Sequence, residues 1–568
     1  MNRQIRLVGA GVMVLFIALF VQLNYLQVFH ASALDNNPLN GSRVVREYDR
    51  PRGQIVSADG QLLATSVPTK DQFKYQRQYP LGSLFAQITG YFSFTYGAEG
   101  AEKTYDSILT GANLSNSLPT SIQGLRNLLT QTNKSQSITL TVSQKMQQAA
   151  ATALGGRTGT VVAIEPATGA VLALYSNPTY DPNLLSGHSQ TQVMANYKKL
   201  VAAPGNPLSP GSYRNTWPPG STFKIITSSA VYDHNPALAT KTYPVLNALQ
   251  LPQTTSLLHN FAGETCGGQL LSLFTVSCNT GFGAIGLDLG GQNLYDEAHS
   301  FGFDQTPPLD LPAVAQARFP AVSSFSQNQP AIAFSAIGQE NVSATPLEMA
   351  LAAAGIADNG TIMAPHVLDH VTDSQGRTVS TYSDKPWLQA TSPATAGAVT
   401  QLMLSVVNAP NGTGGAAKIP GVQVAAKTGT AQTGHNTIDA WFAAFAPVPN
   451  PTIAVAVLLP DQPSGNAYQG GTLAAPVAKA VIQAWLASGA ATAKAVQSSS
   501  AVTSPSTTST TAPSTTSPSV TTQVTSPPAT SPVTSPPLTA PPATSPATTL
   551  PPATTPPTSA STSPTSAP

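Results

Sequence analysis

The sequence predicts an α+β domain with a central antiparallel sheet and helices. A transmembrane helix and a small mixed α/β pedestal precede it, and a disordered tail follows. Three observations carry this. An apolar run near the start holds no charge from Leu7 to Phe29. Segments of period-2 apolar alternation stand at both ends of a long helical middle. The last stretch, after Lys494, has no Asp, Glu, Lys, Arg or His.

The chain has 568 residues, too many for one ordinary domain. "LVGAGVMVLFIALFV" is long enough to span a bilayer core, which takes about twenty apolar residues. Arg3 and Arg6 precede it and no Lys or Arg follows until Arg43, so the positive-inside rule puts the body of the chain outside the cytoplasm. A cleaved signal peptide is the competing reading, because "ASA" at Ala31–Ala33 resembles a cleavage site. The apolar stretch is longer than the usual signal core, which favours an uncleaved anchor; either way the body is exported. From about residue 489 onward Ser, Thr, Pro and Ala dominate. Such a segment cannot bury enough surface to offset chain entropy, and as polyproline II it could reach on the order of 200 Å. A formal net charge of +1 without a basic cluster gives no footprint for nucleic acid.

After the anchor, residues 37–66 read as strand and turn, with Asp59-Gly60 between apolar runs. Glu102 to Leu109 suits a short helix ending at Gly111, and "QKMQQAAATAL", Gln144 to Leu154, is rich in helix formers. "GTVVAIEPATGAVLALYSNP" is a hairpin around Pro166-Ala167-Thr168-Gly169. Late in the chain "GVQVAAKTGTAQ", "IDAWFAAFAP" and "TIAVAVLLP" give three successive strands.

In "PPGSTFKIITSSAV" Ser221 stands three residues before Lys224, at a helix start. It reads either as a nucleophile beside a lysine base or as a polar cap, and the two roles are compatible. Positions i and i+3 share a helix face, and a lysine base needs burial or a neighbouring positive charge to lose its proton. Lys427 in "AAKTGTAQ" could supply that charge. With the Thr428 and Thr430 hydroxyls it would also suit a carboxylate. Gly429 would let a ligand or backbone approach, although alternation sends Lys427 and Thr428 to opposite faces, so the strand must lie at the rim of a cleft. Ser277 and Asn279 in "VSCNTGF" offer a hydroxyl and an amide two residues apart, and Ser326-Gln327-Asn328 is a rival match. Cys266 and Cys278 are the only cysteines; a bridge between them is permitted in an oxidising compartment and would fix the Ser277 loop. They make a weak metal signal. His366 and His370 have helical i, i+4 spacing but lack the second ligand pair zinc would need, so no metal site is expected.

In order, "STFK", "SCN" and "KTGT" match the three motifs of the penicillin-recognising serine acyltransferases. The flanking "RPRGQIVSADGQLLATS", "GAEGAEKTYDSILTG", "GTVVAIEPATGAVLALYSNPTYDPN", "ATPLEMALAAAGIADNGTIMAPHVL", "DAWFAAFAP" and "GGTLAAPVAKAVI" resemble the class B penicillin-binding proteins. The compact N-terminal region is most similar to the actinobacterial penicillin-binding protein A type. The resemblance spans roughly residues 40–486. One departure is "AIGQENVSATP", where many relatives have a further Gly and this chain has Glu340.

The resemblance implies a penicillin-binding-protein/β-lactamase-like transpeptidase domain at 151–488. Before it come an anchor at 1–29 and a dimerisation-like pedestal at 30–150, and after it the tail at 489–568. The implied activity is a peptidoglycan D,D-transpeptidase acting on stem peptides, with β-lactams as covalent inhibitors and no cofactor. It makes Ser221 the nucleophile and Lys224 its base. Ser277 passes the proton to the leaving amine, and Asn279 holds the peptide. Lys427, Thr428 and Thr430 bind the terminal carboxylate, while the backbone N–H groups of Ser221 and Thr430 form the oxyanion hole. Division or elongation proteins are further partners in this picture. The alternatives on the same fold are a D,D-carboxypeptidase, a β-lactamase or a non-catalytic penicillin-binding scaffold. No E-x-x-L-N pattern of the β-lactamase kind lies between Asn279 and Lys427.

Overall fold

The computed structural model describes residues 2–28, 48–111, 135–434 and 436–489. The tail expected beyond residue 489, and the first part of the strand-and-turn region at 37–47, lie outside the described residues. Helix α1 (Asn2–Val28) carries the apolar run, of which Arg3–Tyr25 is 23 residues long and has no buried side chain. At about 1.5 Å per residue that stretch exceeds a bilayer core.

The catalytic core is a five-stranded antiparallel sheet made from both ends of its region. Strands β1 (Gly159–Ile164) and β2 (Val171–Asn177) form the expected hairpin. Strands β3 (Ala425–Gln432), β4 (Thr437–Ala446) and β5 (Ile453–Pro463) form the late meander. The order is β3-β4-β5-β1-β2, which leaves β3 at an edge. Side chains alternate strictly into two separate cores. Trp441, Ala443 and Phe445 of β4 and Ala454, Ala456 and Leu458 of β5 enter one. Phe442, Ala444, Val455 and Val457 enter the other. Both faces are therefore covered, which is why these strands read as nearly continuous apolar runs.

Helix α2 (Gln144–Leu154) follows its expected limits; its N-cap is Ser143 and its left-handed C-cap Gly155. The middle of the chain supplies α3 (Lys224–His234), α4 (Leu270–Thr275), α5 (Asn279–Ser300), α6 (Pro346–Ala357) and α7 (Pro393–Asn408). Helix α8 (Gly470–Ala487) closes the described chain and packs with α2 on one face of the sheet, while α6 covers the other. Helix α6 is apolar on all sides because it is buried on all sides.

The pedestal is a second sheet of six strands. Four of them, Ile55–Val56, Leu62–Pro68, Tyr75–Gln78 and Ser137–Leu140, come from the N-terminal region. Leu368–Thr372 and Thr378–Thr381 complete it from far downstream, so this sheet does not respect a division at residue 150. His370 lies on Leu368–Thr372, where it pairs with Asp369, so the i, i+4 spacing of His366 and His370 is not helical. The expected helix from Glu102 is broken at Tyr105 into Ala101–Thr104 and Asp106–Leu109. There Glu102 is fully buried between Arg52 and Arg77, at 3.1 and 2.6 Å, and Arg52 also reaches Asp106 at 2.8 Å. Tyr105 donates to Asp310 at 2.5 Å, and Asp310 accepts the Val367 N–H at 2.7 Å, which ties the pedestal to the loops under the catalytic sheet.

Helix α6 depends on one polar residue. Thr345 and Glu348 form a capping box, and Glu348 also accepts the Ala317 N–H at 2.6 Å. Burial pushes the Glu348 carboxyl up to about 7. Glu348→Ala leaves buried N–H groups unpaired and is expected to lower the unfolding free energy by about 2–3 kcal/mol, measured by chemical denaturation. A loss under about 0.5 kcal/mol, the range of ordinary surface changes, would show that the box does not hold this helix.

Candidate active site

Ser221 lies in a short 3-10 turn, Gly220–Phe223, directly before α3. The turn is clamped through backbone. Gly220 donates to the Gly338 carbonyl at 2.9 Å, and Trp441 Nε1 donates to the Pro218 carbonyl at 2.9 Å. A Cβ on Gly429 of β3 would stand 2.9 Å from the Pro219 oxygen and from Thr222 Cγ2, and 2.7 Å from Trp441. Glycine there lets the edge strand close on the serine turn. No side chain caps α3, so the cap reading of Ser221 is corrected. Its hydroxyl forms no hydrogen bond among the described residues, and the residue keeps 9 % exposure, enough to meet a ligand.

Lys224 and Lys427 are both fully buried and meet at one serine. Lys224 Nζ donates to the Ser277 carbonyl at 2.8 Å, to Asn279 Oδ1 at 2.8 Å and to Ser277 Oγ at 3.4 Å. Lys427 Nζ donates to Ser277 Oγ at 2.8 Å and to the Thr428 carbonyl at 2.9 Å. The ring of Phe282 lies 5.1 Å from the first ammonium and that of Phe274 lies 5.5 Å from the second. Burial, and then the charge of Lys427, hold the Lys224 amine well below its ordinary value. Burial brings Lys427 down to about 7.

The Ser277 loop is braced from behind. Cys266 and Cys278 are disulfide-bonded, with Cα atoms 5.8 Å apart. Cys278 is the N-cap position of α5 but makes no side-chain cap bond. Asn260 does this from another segment: its Oδ1 accepts the N–H groups of both Asn279 and Thr280 at 2.9 Å. Its Nδ2 donates to the Leu246 and Glu264 carbonyls at 2.8 and 3.1 Å. Ser277 itself takes φ +59, a left-handed backbone that turns its carbonyl and hydroxyl toward the lysines.

The structure thus brings Lys224, Ser277, Asn279 and Lys427 together, with Ser221 three residues before Lys224 and not hydrogen-bonded to any of them through its side chain. Thr428 is reached only by Lys427; its hydroxyl pairs with Thr413 at 2.7 Å on the opposite face of β3, as alternation requires. Thr430 is half-buried, and its side chain makes no hydrogen bond among the described residues. The rival Ser326 donates to the Ser323 carbonyl and stays away from both lysines. Asn260, Thr413 and the two phenylalanines were not singled out from the sequence. Thr413 sits in "NGTGG", whose glycines mark a tight loop, whereas Asn260 carries no local signal.

Comparisons with known proteins bear on this geometry. Residues 159–483 match the penicillin binding protein transpeptidase domain, and residues 52–137 match the penicillin binding protein A dimerisation domain. The chain is 37% identical over 506 residues to the peptidoglycan D,D-transpeptidase PbpA of Mycolicibacterium smegmatis, covering 86% of this chain and 100% of that protein. It is 36% identical to the protein of the same name from Mycobacterium tuberculosis, over 86% of this chain and 99% of that one. The ceftriaxone acyl-enzyme complex of penicillin-binding protein A from M. tuberculosis superposes with a TM-score of 0.71 at 35% identity, covering 78% of this chain and 99% of that one.

Because Asn260 satisfies one buried and one half-buried N–H group at once, Asn260→Ala is expected to cost about 2–4 kcal/mol of stability in chemical denaturation. Asn260→Asp, which keeps the acceptor, should lose about half as much. Equal losses for both would mean that the Nδ2 bonds, rather than the cap on α5, hold the loop.

Proposed function

The chain belongs to the penicillin-binding protein transpeptidases, and on that premise we propose that it crosslinks peptidoglycan stem peptides through an acyl-enzyme on Ser221. The observation that carries the residue assignment is the pair of buried lysines sharing the Ser277 hydroxyl beside the serine turn.

A neutral Lys224 takes the Ser221 proton as Oγ attacks the carbonyl of the penultimate D-alanine. The tetrahedral oxygen is held by the N–H groups of Ser221 and Thr430. In support, the Ser221 N–H has no acceptor among the described residues, and Gly429 brings β3 against that turn. Donors of this kind are each worth roughly 3–4 kcal/mol of barrier. Collapse breaks the peptide bond; Ser277, fixed as acceptor by both amines, passes its hydroxyl proton to the leaving D-alanine amine and regains one from Lys224. An amine of a second stem then attacks the ester, and Ser221 Oγ recovers its proton. Asn279 holds the peptide, and Lys427 with Thr428 and Thr430 faces the terminal carboxylate. β-Lactams replace the donor and stop at the ester.

The apolar α1 supports a membrane anchor. Arg3 and Arg6 favour a cytoplasmic N-terminus, with residues 30–150 as an extracellular pedestal and 151–488 as the catalytic domain. Division or elongation proteins are candidate partners of the pedestal.

Fluorescent penicillin should label the wild type and not Ser221→Ala; persistent labelling of the variant would remove Ser221 from its role. The pH dependence gives a second test. The base must be neutral, so acylation falls as pH drops through the Lys224 pKa, which the Lys427 charge lowers. Lys427→Ala removes that charge, and the acidic limb of the acylation rate should move to higher pH by about half a unit to one unit. An unmoved limb, with residual acylation measurable, would show that the two amines are not coupled.

A further inference from the structure

One opening beside the site is not used by the donor reaction. A cleft of about 320 Å³ is lined by Gln253, Thr254, Gln327, Asn328, Phe334 and Glu340, among others. Both of its walls are tied at their inner ends to the site. Gly338, two residues before Glu340, accepts the Gly220 N–H at 2.9 Å, and a Cβ on it would stand 2.2 Å from the Gly220 oxygen. Two residues reach at most about 7 Å, so Glu340 stands close behind the serine turn. The other wall is the loop with Gln253, Thr254 and Ser256 that joins the strands Ala248–Gln250 and Leu257–His259, and the His259 carbonyl at the end of the second strand accepts Asn279 Nδ2 at 3.2 Å. The cleft is thus lined by segments whose neighbouring residues, Gly338 and His259, touch the serine turn and Asn279.

Its chemistry differs from that of the donor side. Glu340 is the one charged residue in the lining, surrounded by amides and hydroxyls. It is exposed and forms no ion pair or side-chain hydrogen bond among the described residues. A donor stem ends in a carboxylate, which this wall repels, whereas Lys427 stands on the β3 side. The second substrate arrives as an ammonium. Glu340, Gln253 and Asn328 offer it a counter-charge and carbonyl acceptors.

We infer that this cleft is the docking subsite of the acyl acceptor, with the Glu340 carboxylate receiving its cationic amine. The inference rests on the acyl-enzyme reading above. At this remove Glu340 docks the amine and does not deprotonate it. The ammonium loses one proton to water as it reaches the ester; as the free amine attacks and the new C–N bond forms, its second proton passes to Lys224, the C–Oγ bond breaks, and Lys224 returns that proton to Ser221 Oγ.

The test uses the full chain in detergent, a thioester donor peptide, and a synthetic acceptor peptide with one free side-chain amine. Glu340→Gln should raise the acceptor KM about fivefold or more and Glu340→Lys further. The kcat at saturating acceptor should stay within about twofold, and the effect should shrink in high salt. Thermal melts check folding, and Glu340→Gln changes neither size nor backbone demand. Unchanged acceptor KM in both variants, or a change in donor KM instead, overturns the subsite. Wild-type labelling by fluorescent penicillin reads the acyl-enzyme separately, so a wild type that does not label overturns the transpeptidase reading and not merely the subsite.

Discussion

Two buried amines bonded to one hydroxyl set the terms for the rest of the site. Each lysine is bonded to Ser277 Oγ, so the two nitrogens are no more than about 6 Å apart. Two positive charges at that distance repel each other, which holds the Lys224 amine down. Burial is the larger effect and acts in the same direction, so both favour a free-base Lys224. The carbonyl of Ser277 and Oδ1 of Asn279 accept from Lys224 in either state, which keeps it in place when it gives up its proton.

Such an arrangement has to be held from outside, because Ser277 and Lys224 at its centre gain and lose protons in the proposed reaction. The disulfide and Asn260 fix the Ser277–Asn279 loop, and neither titrates in this range. Ser221 is held differently. Gly429 against Pro219, Gly220 beside Ala431 and Gly338 against Gly220 place the turn by backbone contact on both sides. The nucleophile's position is thereby independent of its own side chain, and the hydroxyl stays unbonded and able to rotate between base and ligand.

Much of this was legible in the sequence, for reasons that differ by element. The sheet was legible because period-2 runs covered on both faces leave an apolar signature, and β1 to β5 match it. Helix α2 was legible from composition and Ser143. Lys224, Ser277 and Lys427 were legible as short motifs because their chemistry demands particular side chains. What escaped depends on distance. The hairpin of Leu368–Thr372 and Thr378–Thr381 is short, and its first strand lies more than two hundred residues from Ser137–Leu140, the strand it joins. The Glu102 helix breaks because a buried carboxylate between two arginines outweighs local propensity. Asn260 caps a helix that starts nineteen residues later, so no capping pattern betrays it. Ser221 looked like a cap, but the first turn is 3-10 and the helix proper starts at Lys224.

Glu340 illustrates how a departure from a pattern acquires physical content. Relatives with glycine there need no side chain at a position whose φ here is +62. A residue with a Cβ bears about 1–2 kcal/mol at such a backbone. Strain by itself argues little, since Asn206 and Asp304 take the same region away from the site. At Glu340 three features coincide: the strained backbone, a carboxylate with no partner among the described residues, and a place in the wall of a polar cleft two residues from the Gly338 that holds the nucleophile's turn. Gln253 across the same cleft is also left-handed, at φ +60. Neither side chain forms a hydrogen bond or ion pair among the described residues, so both are free to meet what enters between them.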